Sequence, residues 1–490
     1  MKPKNILFIL LSVLLGLGIL MLIFPKDGIK ISENFTLQFM TWDEFLKPVK
    51  NKDITDILSG NTIDEDTVKF VEVDLYDSMY IDSVLVLYKP VLISVDSTLQ
   101  RIEFPKNADT ILDPLFKTLS SLQTSGELIH ILHYGDSQIE VDRMTDYFRM
   151  KLQATFGGYG AGFHSGLQTY DFALPIVVSY SDNWFKYTVF PHKDSLITHR
   201  RFGISTSYST FKSIIDSTEE EINAWIKFDK SPSAYSNVKK YNQVKLFYGQ
   251  NSTNVAVKLY DGENLLFSDI LPANESLQIK TWQFESTPSS LKIEYTGTSS
   301  PEIYGYSFES YTGVMVDNIS VRGSGGTFFG SMDLSLMGQM FAAMNVRLIL
   351  LQFGGNAIGR DSSNIVKYAG YLGSQMKYLK NIAPNAQIIV IGPADMSEKM
   401  KNSYVTRELL PFLIDEMKKV TFENNCAFWN MYEAMGGQNS MPSWVFHDPP
   451  LAEKDFIHFT PQGAKIVAQM FYKALIVEYN EYLKQQSLVQ

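Results

Sequence analysis

The apolar positions of this chain fall into three regimes. The first is an unbroken run from Ile6 to Phe24, flanked by Lys2 and Lys4 before it and by Pro25, Lys26 and Asp27 after it. Its length and lack of charge predict a helix able to span a bilayer. The second regime alternates helix and strand. Ile111, Leu112, Leu115, Phe116, Leu119 and Leu122 recur at three- and four-residue spacing, as on one face of a helix. The run Ile129 to Leu132 then predicts a strand, and a helical pattern follows from about Ile139 to Phe156. The alternation returns near Gly313, with strands at Val314 to Val321, Leu348 to Phe353 and Ile388 to Ile391, and helices from about Ser363 to Ile382, Thr406 to Asn424 and Pro461 to Gln485. Strands alternating with helices of this length predict a parallel sheet covered on both faces.

The third regime, from about Pro175 to Ser310, is short and alternating. Val244, Leu246 and Tyr248 share one side of a candidate strand, and Val255, Val257 and Leu259 lead into Asp261-Gly262, a strong hairpin signal, and then to Leu265 and Phe267. Leu291, Ile293, Tyr295, Ile303, Tyr304 and Tyr306 continue the pattern. Short strands at this spacing predict a β-sandwich, inserted into an α/β chain. The expected organisation is therefore an N-terminal segment 1–27, a small β or mixed region 28–110 with apolar stretches such as Ser83 to Tyr88 and Val91 to Val95, the first part of an α/β domain over 111–174, the inserted sandwich over 175–310, and the second part over 311–490.

Composition narrows the classes. The chain has 490 residues, 45% hydrophobic and 13% aromatic, with a formal charge of -10. This is globular rather than disordered. The acidic balance, with no basic run beyond the first few residues, argues against a nucleic-acid partner. Lysines on the amino side of the apolar run orient that end to the cytoplasm and place the remainder outside the inner membrane, in the periplasm or beyond. A cleaved signal peptide is the rival reading; the long apolar core and the lack of a small-residue pair in Met21, Leu22, Ile23, Phe24 favour an uncleaved anchor over residues 6–24. Cys426 is the only cysteine, so neither an intrachain disulfide nor a thiolate cluster can form.

The candidate chemistry sits at strand ends. Gly135, Asp136 and Ser137 follow the run Ile129 to Leu132 and precede a helix, the frame a nucleophilic serine uses. A serine needs a base, which His458 can supply, with Asp455 fixing the imidazole tautomer. A negative oxygen formed on attack calls for preorganised donors, and the backbone N–H groups of Ser137 and Gly323 and the side-chain amide of Asn356 are on offer. Taken singly each has a plainer reading: turn, loop, cap or surface histidine. Asp395 also falls at a strand end. His133 reads as a core histidine, His164 and His447 as loop residues, with His447-Asp448 a rival pair, and Glu140 and Asp142 as acids favoured in a first helical turn. No cofactor and no metal enters this reading.

Taken in order, Gly-Asp-Ser, the loop at Gly323 to Gly326, Gly-Gly-Asn at 354–356 and Asp-x-x-His at 455–458 resemble the four blocks of the SGNH (GDSL-like) hydrolases, over about 110–170 and 310–485. The resemblance implies an SGNH-type three-layer α/β/α fold with Ser137 as nucleophile, Asp455 and His458 as its triad partners, and Ser137, Gly323 and Asn356 as oxyanion hole. Gln138 stands where the family usually has leucine, and Ala357 where an acid often follows the asparagine. The run Gly157 to Gly162 competes with Gly323 for the glycine role. The insert and Gly-Pro-Ala-Asp-Met at 392–396 resemble the peptidoglycan O-acetylesterase branch, which implies a periplasmic enzyme acting on acetylated glycan and a carbohydrate-binding-like insert. Sugar contacts would draw on exposed aromatics among Trp184, Phe185, Tyr187, Trp225 and Trp282, although core packing suits such residues as well. The expected activity is removal of O-acetyl groups through an acyl-serine; the alternatives are acetyl transfer to a sugar hydroxyl and a non-catalytic glycan-binding envelope protein.

Overall fold

The computed structural model describes residues 3–25, 28–32, 35–37, 39–42, 51–63, 99–167, 175–191, 193–359, 361–400 and 403–489. The stretches Ser83 to Tyr88 and Val91 to Val95 lie outside them. The chain opens on α1 (Pro3–Ile23), with a mean hydropathy of 3.1 over its most apolar window and no buried residue, long and apolar enough to cross a membrane. A small hairpin, β1 (Ile29–Ser32) with β2 (Phe35–Leu37), and the short helix α2 (Thr55–Gly60) follow. Residues of this region strap onto the main body. Ile54 and Ile102 enter its core, Glu103 bridges to Phe428, and Trp429 Nε1 donates to the Gln100 carbonyl at 3.1 Å.

Helix α3 (Asp113–Ser125) ends on Gly126, whose positive φ of 67° closes the last turn. It leads into β3 (Leu128–Gly135), α4 (Thr145–Phe156) and β4 (Gly162–His164). The strands β5 (Ile176–Tyr180), β6 (Phe185–Thr188), β7 (Ser207–Thr210), β8 (Ile222–Lys230), β9 (Gln243–Gly249), β10 (Val255–Asp261), β11 (Asn264–Leu271), β12 (Gln278–Gln283), β13 (Ser290–Gly297) and β14 (Glu302–Glu309) form two antiparallel sheets, ordered β11-β10-β13-β8-β5 and β12-β9-β14-β7-β6, with β4 paired to β14. Both sheets feed one core, in which Ile226, Val257, Leu259 and Ile293 of the first meet Val244, Leu246, Ile303 and Tyr306 of the second. Asp261 pairs with Asn264 across the expected hairpin turn. Past it the alternation differs from expectation: a register shift at Leu259/Tyr260 leaves Leu265 53% exposed.

After β14 the chain continues into β15 (Gly313–Ser320), α5 (Leu334–Ala343), β16 (Val346–Gln352), α6 (Ser362–Ile382), β17 (Gln387–Ile391), the hairpin β18 (Ser397–Met400) with β19 (Ser403–Thr406), α7 (Leu410–Glu423), β20 (Ala427–Trp429), the short helices α8 (Met431–Ala434) and α9 (Met441–Val445), and α10 (Pro461–Val489). Strands β15-β3-β16-β17-β20 form one wholly parallel sheet. Each face carries its own core. Ile129 and Ile131 of β3 and Leu348 and Leu350 of β16 pack with α3, α4 and α10, whereas Leu132, Tyr134, Ile349 and Leu351 pack with α5, α6 and α7. Asp333 and Asp361 cap α5 and α6 by accepting backbone N–H groups. The helix expected from Thr406 begins at Leu410, because Thr406 belongs to β19 and donates its hydroxyl to Asp395 instead.

The strand order places β3 between β15 and β16; the chain runs on from β3 to β15 on one side and from the adjacent β16 to β17 on the other, so connections leave these two neighbours in opposite directions. Such a switch point opens a crevice beyond the carboxyl ends of the strands. Ser137 lies two residues past the end of β3.

Candidate active site

Gly135 makes the turn into the crevice possible. A side chain there would strike Ile139 and the Gln352 carbonyl. Asp136 is buried and organises the turn, accepting Gln138 N–H at 3.0 Å on one oxygen and Asn356 Nδ2–H at 3.0 Å on the other. Burial pushes its carboxyl up to about 6, against the pull of those bonds and of His458. Ser137 is left half-buried with its hydroxyl in the crevice.

The other half of the site arrives from residues 451–460. This segment is laced by Glu453 N–H to the His458 carbonyl at 2.7 Å and Thr460 N–H to the Leu451 carbonyl at 3.0 Å. Gly463 in the first turn of α10 sits so close to the Leu451 carbonyl that any side chain would collide with it. Asp455 accepts the N–H groups of Ile457 at 2.9 Å and His458 at 3.0 Å on one oxygen. Its other oxygen accepts the His458 Nδ1–H at 2.7 Å. Partial burial alone would raise the Asp455 carboxyl; the bonds from the imidazole and from the two N–H groups outweigh it and hold it below the usual range. With Nδ1 protonated, Nε2 is the acceptor for the Ser137 hydroxyl at 2.8 Å. The structure thus brings Ser137, His458 and Asp455 into one relay.

Gly323 is exposed, with a φ of +74°, in the loop after β15. The glycine run at 157–162 does other work. Gly158 packs on Val314 and Gly160 on Phe308, so the run lies at the amino end of β15, opposite the crevice. Asn356 follows β16 and directs Nδ2–H toward Asp136 and toward the Ser324 carbonyl at 3.2 Å.

Several plainer residues are placed elsewhere. His133 is buried between Gln352 Oε1 at 3.0 Å and Thr145 at 3.0 Å, and burial pushes it down to about 4. His447 bonds the Pro449 carbonyl and takes no part in the relay. Asp395 is buried, accepting Thr406 Oγ1–H and Met441 N–H at 2.8 Å each. Two expectations are corrected. Glu140 and Asp142 are not first-turn acids, since the segment after Ser137 is a 3-10 turn and the helix begins only at Thr145. Asp142 is held by Arg149 at 2.6 and 3.1 Å, and Glu140 faces Arg322 at 3.3 Å. His164 is not a loop residue but the end of β4, paired with Tyr306. Of the aromatics, Trp184, Tyr187 and Trp282 are buried, leaving Phe185 at 39% exposure and Trp225 half-buried beneath Lys292.

Sequence reasoning missed the role of Gln138. Its Nε2 donates to the Ile457 carbonyl at 2.7 Å, tying the serine turn to the histidine segment. Only its departure from the family's leucine marked it.

The fold has a solved counterpart. A structure described as a peptidoglycan O-acetylesterase in action superposes with a TM-score of 0.60 at 20% identity, covering 78% of this chain and 99% of its own. The chain therefore has the fold of the SGNH hydrolases. A GDSL-like lipase from Parabacteroides merdae (TM-score 0.25, 16% identity, 33% of this chain and 72% of its own) and a family two carbohydrate esterase from Cellvibrio japonicus (TM-score 0.25, 7% identity, 63% and 99%) align too loosely to add weight. No family model and no curated protein matches the sequence.

Proposed function

We propose that this protein is a serine esterase that removes O-acetyl groups from an envelope carbohydrate such as peptidoglycan. The relay from Asp455 through His458 to Ser137, at the switch point of the parallel sheet, carries this reading. His458 takes the Ser137 proton as the hydroxyl attacks the acetyl carbonyl, returns it to the departing sugar oxygen, and then activates water to release acetate. The tetrahedral oxygen is received by the backbone N–H groups of Ser137 and Gly323 and by Asn356, which turns one proton away from the Ser324 carbonyl to do so.

The two antiparallel sheets are read as a β-sandwich over 175–310, inserted between the catalytic parts 111–174 and 311–490 and serving carbohydrate contact. Helix α1 is read as an anchor in the inner membrane, with the rest of the chain on the periplasmic side. The likeness in fold to a peptidoglycan O-acetylesterase supports the substrate class. The decisive experiment is acetate release from a small acetyl ester and from O-acetylated peptidoglycan by wild type, Ser137→Ala and His458→Ala. Wild-type turnover by Ser137→Ala would overturn the mechanism.

A further inference from the structure

Next to the serine turn lies a cavity of about 140 Å³, between the parallel sheet and the antiparallel ones. Glu140, Asn318 and Arg322 line one side and His164, Lys186 and Thr188 the other. Its wall draws on segments adjoining the candidate site in sequence: Glu140 follows Ser137 by three residues, and Arg322 immediately precedes Gly323. Val141, also in its wall, has a φ of +63°, and Asp142 one of +61°. A β-branched residue in the left-handed region is held there at a cost, as happens where a loop must keep a functional shape.

Among the described residues the charges in the cavity do not balance. Asp142 is matched by Arg149 and Glu140 by Arg322. Lys186 has no such match. Its Nζ donates to the Leu167 carbonyl at 2.5 Å and reaches Ser165 Oγ at 3.5 Å, both neutral, and among the described residues no carboxylate lies in ion-pair reach of it. An ammonium carries three protons, so these two contacts leave one for the cavity. Burial pulls Lys186 down to about 8, which leaves it charged at neutral pH. Other sheltered cations of this molecule face acids, as Lys245 does Glu309 and Arg201 does Glu302. His164 accepts Gly166 N–H on Nδ1 at 3.1 Å, which fixes the neutral tautomer, so it adds no charge. A sheltered cation facing a cavity with no acid of its own among the described residues is costly unless an anion arrives. The chain carries a net charge of -10, so an anionic polymer needs a local cation to settle on this protein.

We propose that the cavity is a carboxylate subsite, in which Lys186 holds an acidic group of the glycan while a neighbouring acetyl ester lies at Ser137. The inference rests on the esterase reading above and narrows its substrate to an acidic glycan. The carboxylate is carried either by a sugar or by a peptide attached to the glycan, and both present the same group to Lys186.

The test is calorimetric binding of non-acetylated ligands to the full-length protein. The ligands are the disaccharide of N-acetylglucosamine and N-acetylmuramic acid, its carboxyl-reduced alcohol, and a muropeptide whose carboxylates lie only on the peptide. One of the two acids should bind about tenfold or more tightly than the alcohol, the size of a charge-assisted hydrogen bond, and which one binds identifies the source of the carboxylate. Lys186→Met should erase the difference and Lys186→Arg should keep most of it. Equal binding of acids and alcohol by the wild type, which involves no variant, would overturn the subsite, as would discrimination that survives in Lys186→Met. Binding is read without turnover. Discrimination in a protein that releases no acetate from any ester would overturn the esterase reading and leave the subsite standing, whereas acetate release without discrimination would overturn the subsite alone.

Discussion

The side chain of Gln138 and the backbone carbonyl of Ile457 meet at 2.7 Å, joining two segments of the candidate site that are far apart in sequence. The bond fixes the spacing between the serine hydroxyl and the imidazole. Gln138→Ala should lower kcat on a small acetyl ester roughly tenfold or more with a smaller change in KM, since misplacement within a reacting pair costs rate. Steady-state kinetics check this, and an unchanged kcat would remove Gln138 from the site.

The relay should behave as a unit. Ser137→Ala, His458→Ala and their combination should show similar residual rates rather than multiplied losses, each several orders of magnitude below wild type. Single and double variants assayed for acetate release decide the point.

Asn356 serves two partners. Asn356→Ala removes a donor from the developing oxyanion, expected to cost about 10²–10³ in kcat. It also strips Asp136 of a bond that favours its ionised form, so the Asp136 carboxyl should titrate higher than about 6. Kinetics measure the first effect, and carboxyl titration by NMR the second.

His130 should give stability a pH dependence. The ring is buried on β3, with Nδ1 2.7 Å from Asp317 and Nε2 3.3 Å from Glu309; the latter is an ion-pair contact without hydrogen-bond alignment. Burial alone would depress its titration, but Asp317 and Glu309 outweigh it and raise His130 from 6.5 to about 9. Lys245 faces the same Glu309. A raised folded-state value means that the contribution is complete below about 6.5 and is lost as pH rises through about 9. Urea midpoints of wild type and His130→Gln should therefore differ most near pH 6, and the gap should narrow toward pH 10.

Helix α1 should hold the protein to membranes. Full-length protein should stay with the membrane fraction after a high-salt wash. Release into the soluble periplasmic fraction would refute the anchor.

What the sequence made legible follows from periodicity and order. Strands β15, β3, β16 and β17 read as apolar runs because a parallel sheet buries both faces, and the hairpin at Asp261-Gly262 read from its turn residues. Ser137, Asn356, Asp455 and His458 stood out through the order of their blocks. Pairings across folded space leave no such trace. Arg149 in α4 reads as an ordinary polar helix position, yet it is buried against Asp142 and the Val316 carbonyl. Lys186 is one lysine among many until β6 sets it against Leu167, and Glu140 and Asp142 look like helix-start acids until the backbone turns at Val141.

Strand β14 passes into β15 with only Ser310, Tyr311 and Thr312 between them, and Glu309 at that junction binds both Lys245 and His130. A domain on a slack tether samples many distances from a catalytic centre. Two sheets spliced through consecutive strands and pinned by a buried ion cluster hold one distance. On the carbohydrate reading proposed above, a glycan held on the antiparallel side would meet Ser137 at a constant offset along its length.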